Sequence, residues 1–373
     1  MTTESIARTI RDASAARTPL RVCGRSTWLD AGRPVRAKQT LSLQGDNGVV
    51  SYVPGDLTLT VRAGTSLAEI ERATAEHDQW LPLDPYGSSD GTIGATVSTA
   101  SAGPLASGFG LPRDLVLGME FVSGRGEVIR CGGKVVKNVA GFDLTRLLTG
   151  SWGTLGVITE VTLRLYARPK VDRTFVVKLS GNGRDAAFLG GFLAARLGPF
   201  AFEVFSATAV RLLGLGDRAV CLIRFGGNEA GVAGQLAALT ALATPEEVDA
   251  NLWTRVRQLE RDADCVIRIS GPPSAFADGL DDILGDDIPS TMTWMSPVRG
   301  LVRLVVRKSS GPNAVSDVII GNESGGDHSG HVICEKLPTE VWRQVPSAVS
   351  DPLSQRIKRV FDSNDLLNPG ILG

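Results

Sequence analysis

The feature that most limits how this chain can fold is a glycine-rich turn that runs directly into a long β-branched segment. Gly150, Gly153 and Gly156 fall within one short stretch, and residues 157–165 continue as an expected strand. Glycine lets a main chain approach a ligand closely because no Cβ stands between the two. The exposed N–H groups of such turns are natural donors to phosphate or ribose oxygens. The segment therefore predicts a nucleotide site beside a sheet.

Two more segments with few large side chains lie upstream of this turn. Residues 82–113 are rich in glycine, serine, threonine and alanine, so they cannot drive their own packing and must lie against protein or ligand. A short strand over residues 19–23 leads into Gly-Arg-Ser-Thr at 24–27. Between these segments, Ser66 and Glu69 have the spacing of a capping box, which predicts the start of a helix.

Length and charge exclude several classes of protein. The chain has 373 residues, which is long for a single core, so we expect two domains. Its 39 Lys and Arg residues balance 40 Asp and Glu residues, so the composition does not favour nucleic acid as a partner. No apolar run reaches the length of a transmembrane helix, and the first residues lack the apolar core of a secretory signal. We therefore expect a cytoplasmic protein, associated with a membrane at most through partner subunits.

The order of expected elements predicts an α+β fold. Residues 171–320 alternate short strands with amphipathic helices, which is typical of a ferredoxin-like α+β layer. In this region, two helices are expected near 246–263 and 272–284. Further strands are expected at 49–53, 57–63, 115–122, 127–131, 175–179, 202–205, 220–225, 266–269, 301–306 and 331–336, and further helices at 184–197, 207–213, 228–243 and 353–361.

Cysteine and histidine are too sparse for a metal or cluster site. Cys221 and Cys265 are the nearest pair among the five cysteines, so no Cys-x-x-Cys spacing exists for zinc or an iron–sulfur cluster. The three histidines are His77, His328 and His331. His328 and His331 have the spacing of two metal ligands, yet no third histidine lies near them, so we predict no metal.

Two motif matches lie in the wrong context. The segment 214–219 matches the dinucleotide fingerprint but follows a helix and precedes a strand, which is the reverse of what a pyrophosphate site needs. The segment 87–91 matches the nucleophile elbow of hydrolases but lies in a loop. The acidic residues of the glycine-rich region are expected at turns and caps rather than as catalytic acids: Asp84, Asp90, Asp114 and Asp143.

Three segments in order, with two flanking motifs, resemble one family. The segments are Arg-Val-Cys-Gly-Arg-Ser-Thr at 21–27, Thr-Ile-Gly-Ala through Ser-Ala-Gly-Pro at 92–104, and Gly-Thr-Leu-Gly-Val-Ile-Thr at 153–159. The motifs are Lys-Asn-x-x-Gly-Phe-Asp at 137–143 and Asn-Pro-Gly at 368–370. They resemble the FAD-binding domain of the vanillyl-alcohol oxidase and p-cresol methylhydroxylase (PCMH) superfamily. More narrowly, they resemble the FAD-binding E subunits of bacterial glycolate oxidase (glycolate dehydrogenase) complexes.

The resemblance covers residues 18–168 and the C-terminus, and it implies a PCMH-type FAD-binding domain of two subdomains at 1–170. Residues 171–320 would then form a smaller cap for substrate or partner, and residues 321–373 would return to the FAD domain. The resemblance also implies which residues contact FAD. They are Cys23, Gly24, Arg25, Ser26 and Thr27 at the pyrophosphate; Pro82 and Asp84 near the cofactor; Thr92, Ile93, Gly94, Ala95, Ser98, Ser101, Ala102 and Gly103 along the ribityl chain and pyrophosphate; Gly153, Gly156, Val157 and Ile158 at the adenine or flavin edge; and Asn368 at the flavin edge.

The chain departs from the family pattern at several places. Cys23-Gly24-Arg25 replaces the usual glycine triplet, so this loop should be stiffer and should carry a charge that can pair with phosphate. Ala95 replaces the second glycine of the common pair. No histidine precedes His77, which excludes histidyl attachment from the N-terminal loop, so we expect non-covalent FAD. The cap lacks the Gly-Asp-Gly-Asn-x-His sequence that supplies a metal in the catalytic relatives.

The activity that the resemblance implies is FAD-dependent oxidation of a CH–OH donor. The chain would be the FAD-binding subunit of a complex that oxidises glycolate, or a related small 2-hydroxy acid, to the 2-oxo acid. Its partners would be a catalytic flavoprotein subunit and an iron–sulfur subunit, because the chain has no cysteine motif for a cluster of its own. Two alternatives stay open: a standalone FAD-dependent alcohol or hydroxy-acid oxidoreductase, and a non-catalytic flavin-binding scaffold.

The sequence indicates catalytic residues less clearly than it indicates cofactor contacts. The strands of the second domain carry four candidates that could hold a carboxylate or accept a proton if the strands turn them inward: Arg303, Arg307, His331 and Glu335. Arginine suits carboxylate binding because its planar guanidinium donates two parallel hydrogen bonds. The same residue types are more often found at surface or structural positions.

Overall fold

The computed structural model describes residues 1–133, 142–180, 184–273, 291–307 and 331–373. The first five residues of the 137–143 motif, His328 and most of the helix expected at 272–284 lie outside the described residues. The chain forms two compact units. The first contains Met1–Ala102, Gly110–Arg168 and Arg343–Gly373, and the second contains Gly103–Phe109 and Pro169–Trp342.

The first unit is built on a five-stranded antiparallel sheet. Its strands, in spatial order, are Val49–Val53 (β3), Thr58–Arg62 (β4), Val157–Arg164 (β8), Val116–Val122 (β6) and Val128–Gly132 (β7). Two small sheets accompany it. Leu20–Cys23 (β1) pairs in parallel with Gln39–Ser42 (β2), and Gln79–Trp80 (β5) pairs with Tyr166–Ala167 (β9). The strand that was expected after the glycine-rich turn is therefore confirmed as β8, and it lies at the centre of the larger sheet.

Six of the described helices belong to the first unit. They are Thr3–Ala15 (α1), Leu67–Ala75 (α2), Ile93–Thr99 (α3), Pro112–Leu115 (α5), Leu144–Leu148 (α6) and Pro352–Phe361 (α11). The predicted capping box of α2 is confirmed. Glu69 N donates to Ser66 Oγ at 3.1 Å, and Ser66 N donates to Glu69 Oε2 at 2.7 Å. Within the described ranges, every helix is too short or too polar to cross a lipid bilayer.

Helix α3 was not expected, because a segment of small residues carries little periodic apolar signal. It begins after Thr92, whose Oγ1 accepts a hydrogen bond from Ala95 N at 3.3 Å. Gly94 lets the helix approach the end of β4, since a Cβ there would lie 2.7 Å from Ala63 Cβ. The extended strip that we expected along a ligand is therefore, in part, a short helix packed on the sheet.

The second unit contains an eight-stranded antiparallel sheet. Its strands are Val171–Lys178 (β10), Ala201–Phe205 (β11), Val220–Gly227 (β12), Glu246–Val248 (β13), Ala263–Ser270 (β14), Thr291–Ser296 (β15), Leu301–Arg307 (β16) and His331–Lys336 (β17). Their order across the sheet is β13-β10-β12-β11-β15-β16-β14-β17. The described helices of this unit are Ala106–Phe109 (α4), Arg184–Ala194 (α7), Ala207–Leu213 (α8), Glu229–Leu242 (α9) and Leu252–Arg257 (α10).

This sheet consists of two halves with the same strand order. Numbered within each half, the strands run 4-1-3-2 and then 2-3-1-4. The halves join where β11 pairs with β15, at Val204↔Met295 and Phe205↔Trp294. No repeat is visible in the sequence, so the similarity between the halves lies in their topology.

Three details of the second unit differ from the expectation. The helix expected near 246–263 is instead strand β13 followed by the shorter α10, because the main chain of Glu246–Val248 pairs with β10 at the edge of the sheet. Strand β15 was not expected at all. The boundary expected at residue 320 also differs from the observed one, because β17 pairs with β14 and so belongs to the second unit.

A buried carboxylate ties the N-terminal helix to the first sheet. Glu120 is only 3% exposed and accepts hydrogen bonds from Thr3 Oγ1 at 2.6 Å, Thr159 Oγ1 at 2.9 Å and Arg130 Nε at 2.8 Å. Burial by itself would raise the pKa of Glu120. The three donors and the Arg130 charge outweigh burial and hold its pKa below the ordinary value.

We expect Glu120→Gln to lower the free energy of unfolding at neutral pH by about 1–3 kcal/mol, because buried donors lose a charged acceptor. Since the folded-state pKa is depressed, this stabilisation is present above the ordinary pKa of 4.5 and is lost as the pH falls through the folded value. Urea unfolding of the unaltered chain and of the variant, at about pH 7 and about pH 3.5, measures the difference between their free energies of unfolding. This difference should be smaller at the acid pH, and an equal difference at both pH values would contradict this account.

Candidate functional site

The loop after β1 offers a run of main-chain donors. Among the described residues, the N–H groups of Arg25, Ser26 and Thr27 have no hydrogen-bond partner. Ser26 has a φ of 60°, a left-handed conformation that non-glycine residues rarely adopt, and its hydroxyl donates to Cys23 Sγ at 3.6 Å. Turns that contain a left-handed residue are typical of main-chain concavities that bind anions. The loop predicted to receive a pyrophosphate therefore has the donors for one.

The second predicted segment lies directly against this loop. A Cβ on Gly24 would lie 2.2 Å from Thr92 Oγ1, so only glycine permits this approach. The turn before α2 holds the second segment in place, because Ile93 N donates to Thr65 O at 2.9 Å and Gly94 N donates to Ala63 O at 2.9 Å. Residues 24–27 and 92–95, far apart in the sequence, are thus neighbours in the first unit.

The third segment, the glycine-rich turn, packs on α3. Gly150 N donates to Val97 O at 3.0 Å, and Trp152 N donates to Ser98 O at 2.8 Å. These bonds place the turn beside the second segment. The structure therefore brings together residues 24–27, residues 92–102 and the glycine-rich turn within the first unit.

Asn368 joins two of these elements. Its Oδ1 accepts a hydrogen bond from Val22 N at 2.7 Å, and its Nδ2 donates to Trp152 O at 2.8 Å. The residue is 4% exposed, and a Cβ on Gly153 would lie 2.8 Å from its Nδ2. Both ends of the amide that we expected at the flavin edge are thus bonded to protein main chain.

Val157 and Ile158 occupy the start of β8, where β6 alone among the described strands reaches them. They pair with Val122 and Phe121 of β6. On the other side, the ladder with β4 ends at Arg62↔Glu160, short of both residues. One main-chain side of this segment is therefore outside the ladder, as the prediction of an adenine or flavin contact requires. Gly156 precedes it, and a Cβ there would lie 2.6 Å from the ring of Phe121.

The remaining residues of the predicted site are buried or half-buried. Pro82 and Asp84 are buried in the first unit. Ser101 and Ala102 follow α3 and are half-buried. Gly103 belongs to the second unit, where its carbonyl accepts a hydrogen bond from the Arg299 guanidinium at 3.1 Å.

The only charge in the 23–27 loop already has a protein partner. The guanidinium of Arg25 donates to Glu69 Oε2 at 2.9 Å, and the same carboxylate caps α2 through Ser66. Burial would raise the pKa of Glu69, but the Ser66 hydrogen bonds and the charges of Arg25 and Arg72 hold it below the ordinary value. Glu69 was predicted only as a capping residue, and its capping-box spacing gave no sign of this ion pair.

The candidate catalytic residues of the second unit fall into two groups. Arg303 is 3% exposed and forms ion pairs with Glu260 at 2.5 Å and Glu335 at 2.6 Å. Arg268 also pairs with Glu335, at 2.8 Å. Burial raises the pKa of Glu260, whereas the two guanidinium groups outweigh burial and keep the pKa of Glu335 low. Arg303 and Glu335 are thus members of a buried ion-pair network.

The other two candidates lie at strand ends. His331 is exposed at the start of β17, opposite Ser270, and Arg307 is half-buried at the end of β16, opposite Ala263. The described ranges contain no group of three or more His, Cys, Asp or Glu residues that could hold a metal ion.

We expect Arg303→Met to lower the free energy of unfolding by about 3–5 kcal/mol, because it removes the cation that pairs with the buried Glu260 and one of the two that pair with Glu335. Arg173→Met is the matched control. It breaks an exposed ion pair with Glu247 on the same sheet and should change stability by less than about 1 kcal/mol. Urea unfolding at neutral pH measures both changes. Equal effects of the two substitutions would contradict a structural role for Arg303.

Comparison with known families supports the cofactor. Residues 1–132 match the family model described as FAD binding domain. The chain therefore contains an FAD-binding domain. The matched region includes the 23–27 loop and α3, which belong to two of the three segments described above. The third segment, residues 153–158, follows the matched region and runs into β8 of the five-stranded sheet.

One named relative is similar to part of this chain, and another is similar to nearly all of it. Glycolate oxidase subunit GlcE of Escherichia coli (strain K12) is 40% identical over 171 residues, which cover 45% of this chain and 48% of that protein. The chain thus matches about half the length of this relative. D-2-hydroxyglutarate dehydrogenase of Xanthomonas citri pv. viticola is 27% identical over 414 residues, which cover 99% of this chain and 87% of that protein.

Solved structures share the fold. A 4-ethylphenol oxidase from Gulosibacter chungangensis superposes with a TM-score of 0.75 at 16% identity, over 100% of this chain and 88% of that one. At this level of identity, the likeness shows a common mixed α+β fold and says nothing about substrate.

Proposed function

We propose that this chain is the FAD-binding subunit of a glycolate dehydrogenase-type complex that oxidises glycolate, or a related 2-hydroxy acid, to the 2-oxo acid. The observation that carries the proposal is the meeting of three segments in the first unit: residues 24–27, 92–102 and 153–158. The likeness to a glycolate oxidase E subunit supports the substrate class.

The residues of these segments suit FAD. The N–H groups of Arg25, Ser26 and Thr27, which have no partner in the part of the chain that the structure describes, provide donors for the pyrophosphate. The strand start at Val157 and Ile158 provides main-chain groups for the adenine or flavin edge. None of the three segments contains a histidine, which supports non-covalent FAD. When bound, the flavin would supply the hydride-accepting chemistry, while the protein supplies placement and electrostatics.

The proposed partners follow from what the chain lacks. Its five cysteines include no Cys-x-x-Cys pair, and no metal-ligating cluster occurs in the part of the chain that the structure describes. Electron transfer through an iron–sulfur cluster would therefore use a partner subunit. With Arg303 and Glu335 engaged in an ion-pair network, a catalytic flavoprotein subunit would complete the substrate chemistry.

We further propose that the second unit is a ferredoxin-like cap. The 4-1-3-2 strand order in each half of its sheet supports this assignment. Of the four catalytic candidates, Arg307 and His331 are not part of the Arg303 network, so they are the better choices for holding a substrate carboxylate. The proposed FAD domain at 1–170, with a C-terminal segment that returns to it, accords with the first unit.

A standalone FAD-dependent 2-hydroxy-acid dehydrogenase is the second candidate. One observation favours it: the likeness to D-2-hydroxyglutarate dehydrogenase extends over 99% of this chain rather than half of it. A non-catalytic flavin-binding scaffold is the third possibility, and the same experiment separates the three.

The test is an anaerobic absorbance scan of the purified chain with FAD, before and after addition of glycolate and, separately, D-lactate. The proposal expects retained FAD that neither substrate bleaches in the isolated chain, and bleaching by glycolate once catalytic and iron–sulfur subunits are co-purified. Bleaching of the isolated chain would favour the standalone enzyme. Bleaching in the complex of no more flavin than the catalytic subunit carries would favour the scaffold, and a chain that retains no FAD would overturn all three.

A further inference from the structure

Lys358, on helix α11, connects the C-terminal segment to the glycine-rich turn. Its ammonium group donates to Thr154 O at 3.0 Å and Leu367 O at 3.4 Å. It also pairs with Asp362 at 2.7 Å and Asp365 at 3.1 Å. One cation therefore contacts the residue after Gly153 and the residue before Asn368.

A second connection runs through Asp362. This residue is 1% exposed, and its carboxylate accepts hydrogen bonds from Leu366 N and Leu367 N, each at 2.9 Å. The carboxylate thereby fixes the main chain that leads to Asn368, whose amide joins Val22 to Trp152. Lys358 neutralises this buried carboxylate, so both connections depend on the same ammonium group.

The other cations of α11 do not share this role. Arg356 and Arg359 are exposed, and neither has a hydrogen bond or ion pair among the described residues. Lys358 is one-quarter exposed and bonds four groups. Lysine suits the position because its ammonium is a compact charge with three rotatable donors, whereas the planar fork of arginine matches a single carboxylate.

We propose that Lys358 is a positioning residue for the FAD site. It holds the 153–156 turn against β1 through Thr154 and the Asp362–Asn368 segment, so the affinity for FAD depends on a side chain that bonds only protein. This inference rests on the FAD site of the proposed function. It adds that cofactor binding and the order of the C-terminal segment are coupled.

The test compares FAD dissociation constants of the full chain and its variants by fluorescence titration. Lys358→Met should weaken FAD binding by about tenfold, the equivalent of one lost hydrogen bond to a charged group. Arg359→Met, one position along the same helix, should bind FAD as the unaltered chain does. Lys358→Arg should restore only part of the affinity. If Lys358→Met does not fold, Lys358→Gln, which keeps one neutral donor, replaces it.

A control for general destabilisation is Glu120→Gln, which weakens the same unit through bonds to Thr3, Thr159 and Arg130 rather than through the 153–156 turn. Urea unfolding of the FAD-free proteins ranks their stabilities, and the visible spectrum of bound flavin reports its surroundings. Weakened binding and an altered spectrum in the Lys358 variant alone support the inference. Unchanged affinity in that variant, or an equal loss in Glu120→Gln, would overturn it while leaving the proposed function intact. If the unaltered chain binds no FAD, the proposed function fails, and the inference fails with it.

Discussion

Close approach of main chain to protein neighbours is the constraint on which the candidate site depends. A Cβ on Gly24 would lie 2.2 Å from Thr92 Oγ1, and a Cβ on Gly153 would lie 2.8 Å from Asn368 Nδ2. These glycines are required by neighbouring protein atoms. In the loop that begins at Gly24, the main-chain donors of residues 25–27 have no partners among the described residues.

The polar side chains of the first unit mostly hold these segments in place. Asn368 joins β1 to the glycine-rich turn, Glu69 holds the Arg25 guanidinium, and Lys358 connects α11 to the turn. This division of roles is what a flavin protein needs, since the cofactor performs the hydride chemistry and the protein places it. In the second unit, the buried Arg303 likewise bonds protein groups, through its ion pairs with Glu260 and Glu335.

Local signals in the sequence predicted local structure well. The capping box at Ser66 and Glu69, the strand after the glycine-rich turn and the helix at Ala207–Leu213 were all predicted from neighbouring residues. Non-local partners could not be predicted. Val22 N and Asn368 Oδ1 meet across 346 positions, and only the folded sheet brings them together.

The errors have physical causes as well. Helix α3 was missed because its small residues have no apolar period, and its stability comes from packing on Ala63 and from the Thr92 cap. The roles of Arg303 and Glu335 were open because the face to which each strand residue points depends on the phase of the strand. Strand β16, which carries Arg303, is buried on both faces along most of its length, so alternation in the sequence does not identify its phase.

Hydrogen–deuterium exchange of the purified chain with and without FAD tests the central claim most directly, because it measures main-chain N–H groups. If the three segments surround the cofactor, FAD should slow exchange at residues 24–28, 92–103 and 153–158 together, and should leave the β10–β13 half of the second sheet unchanged. Slowed exchange in only one of these segments, or in none while FAD is bound, would contradict the account.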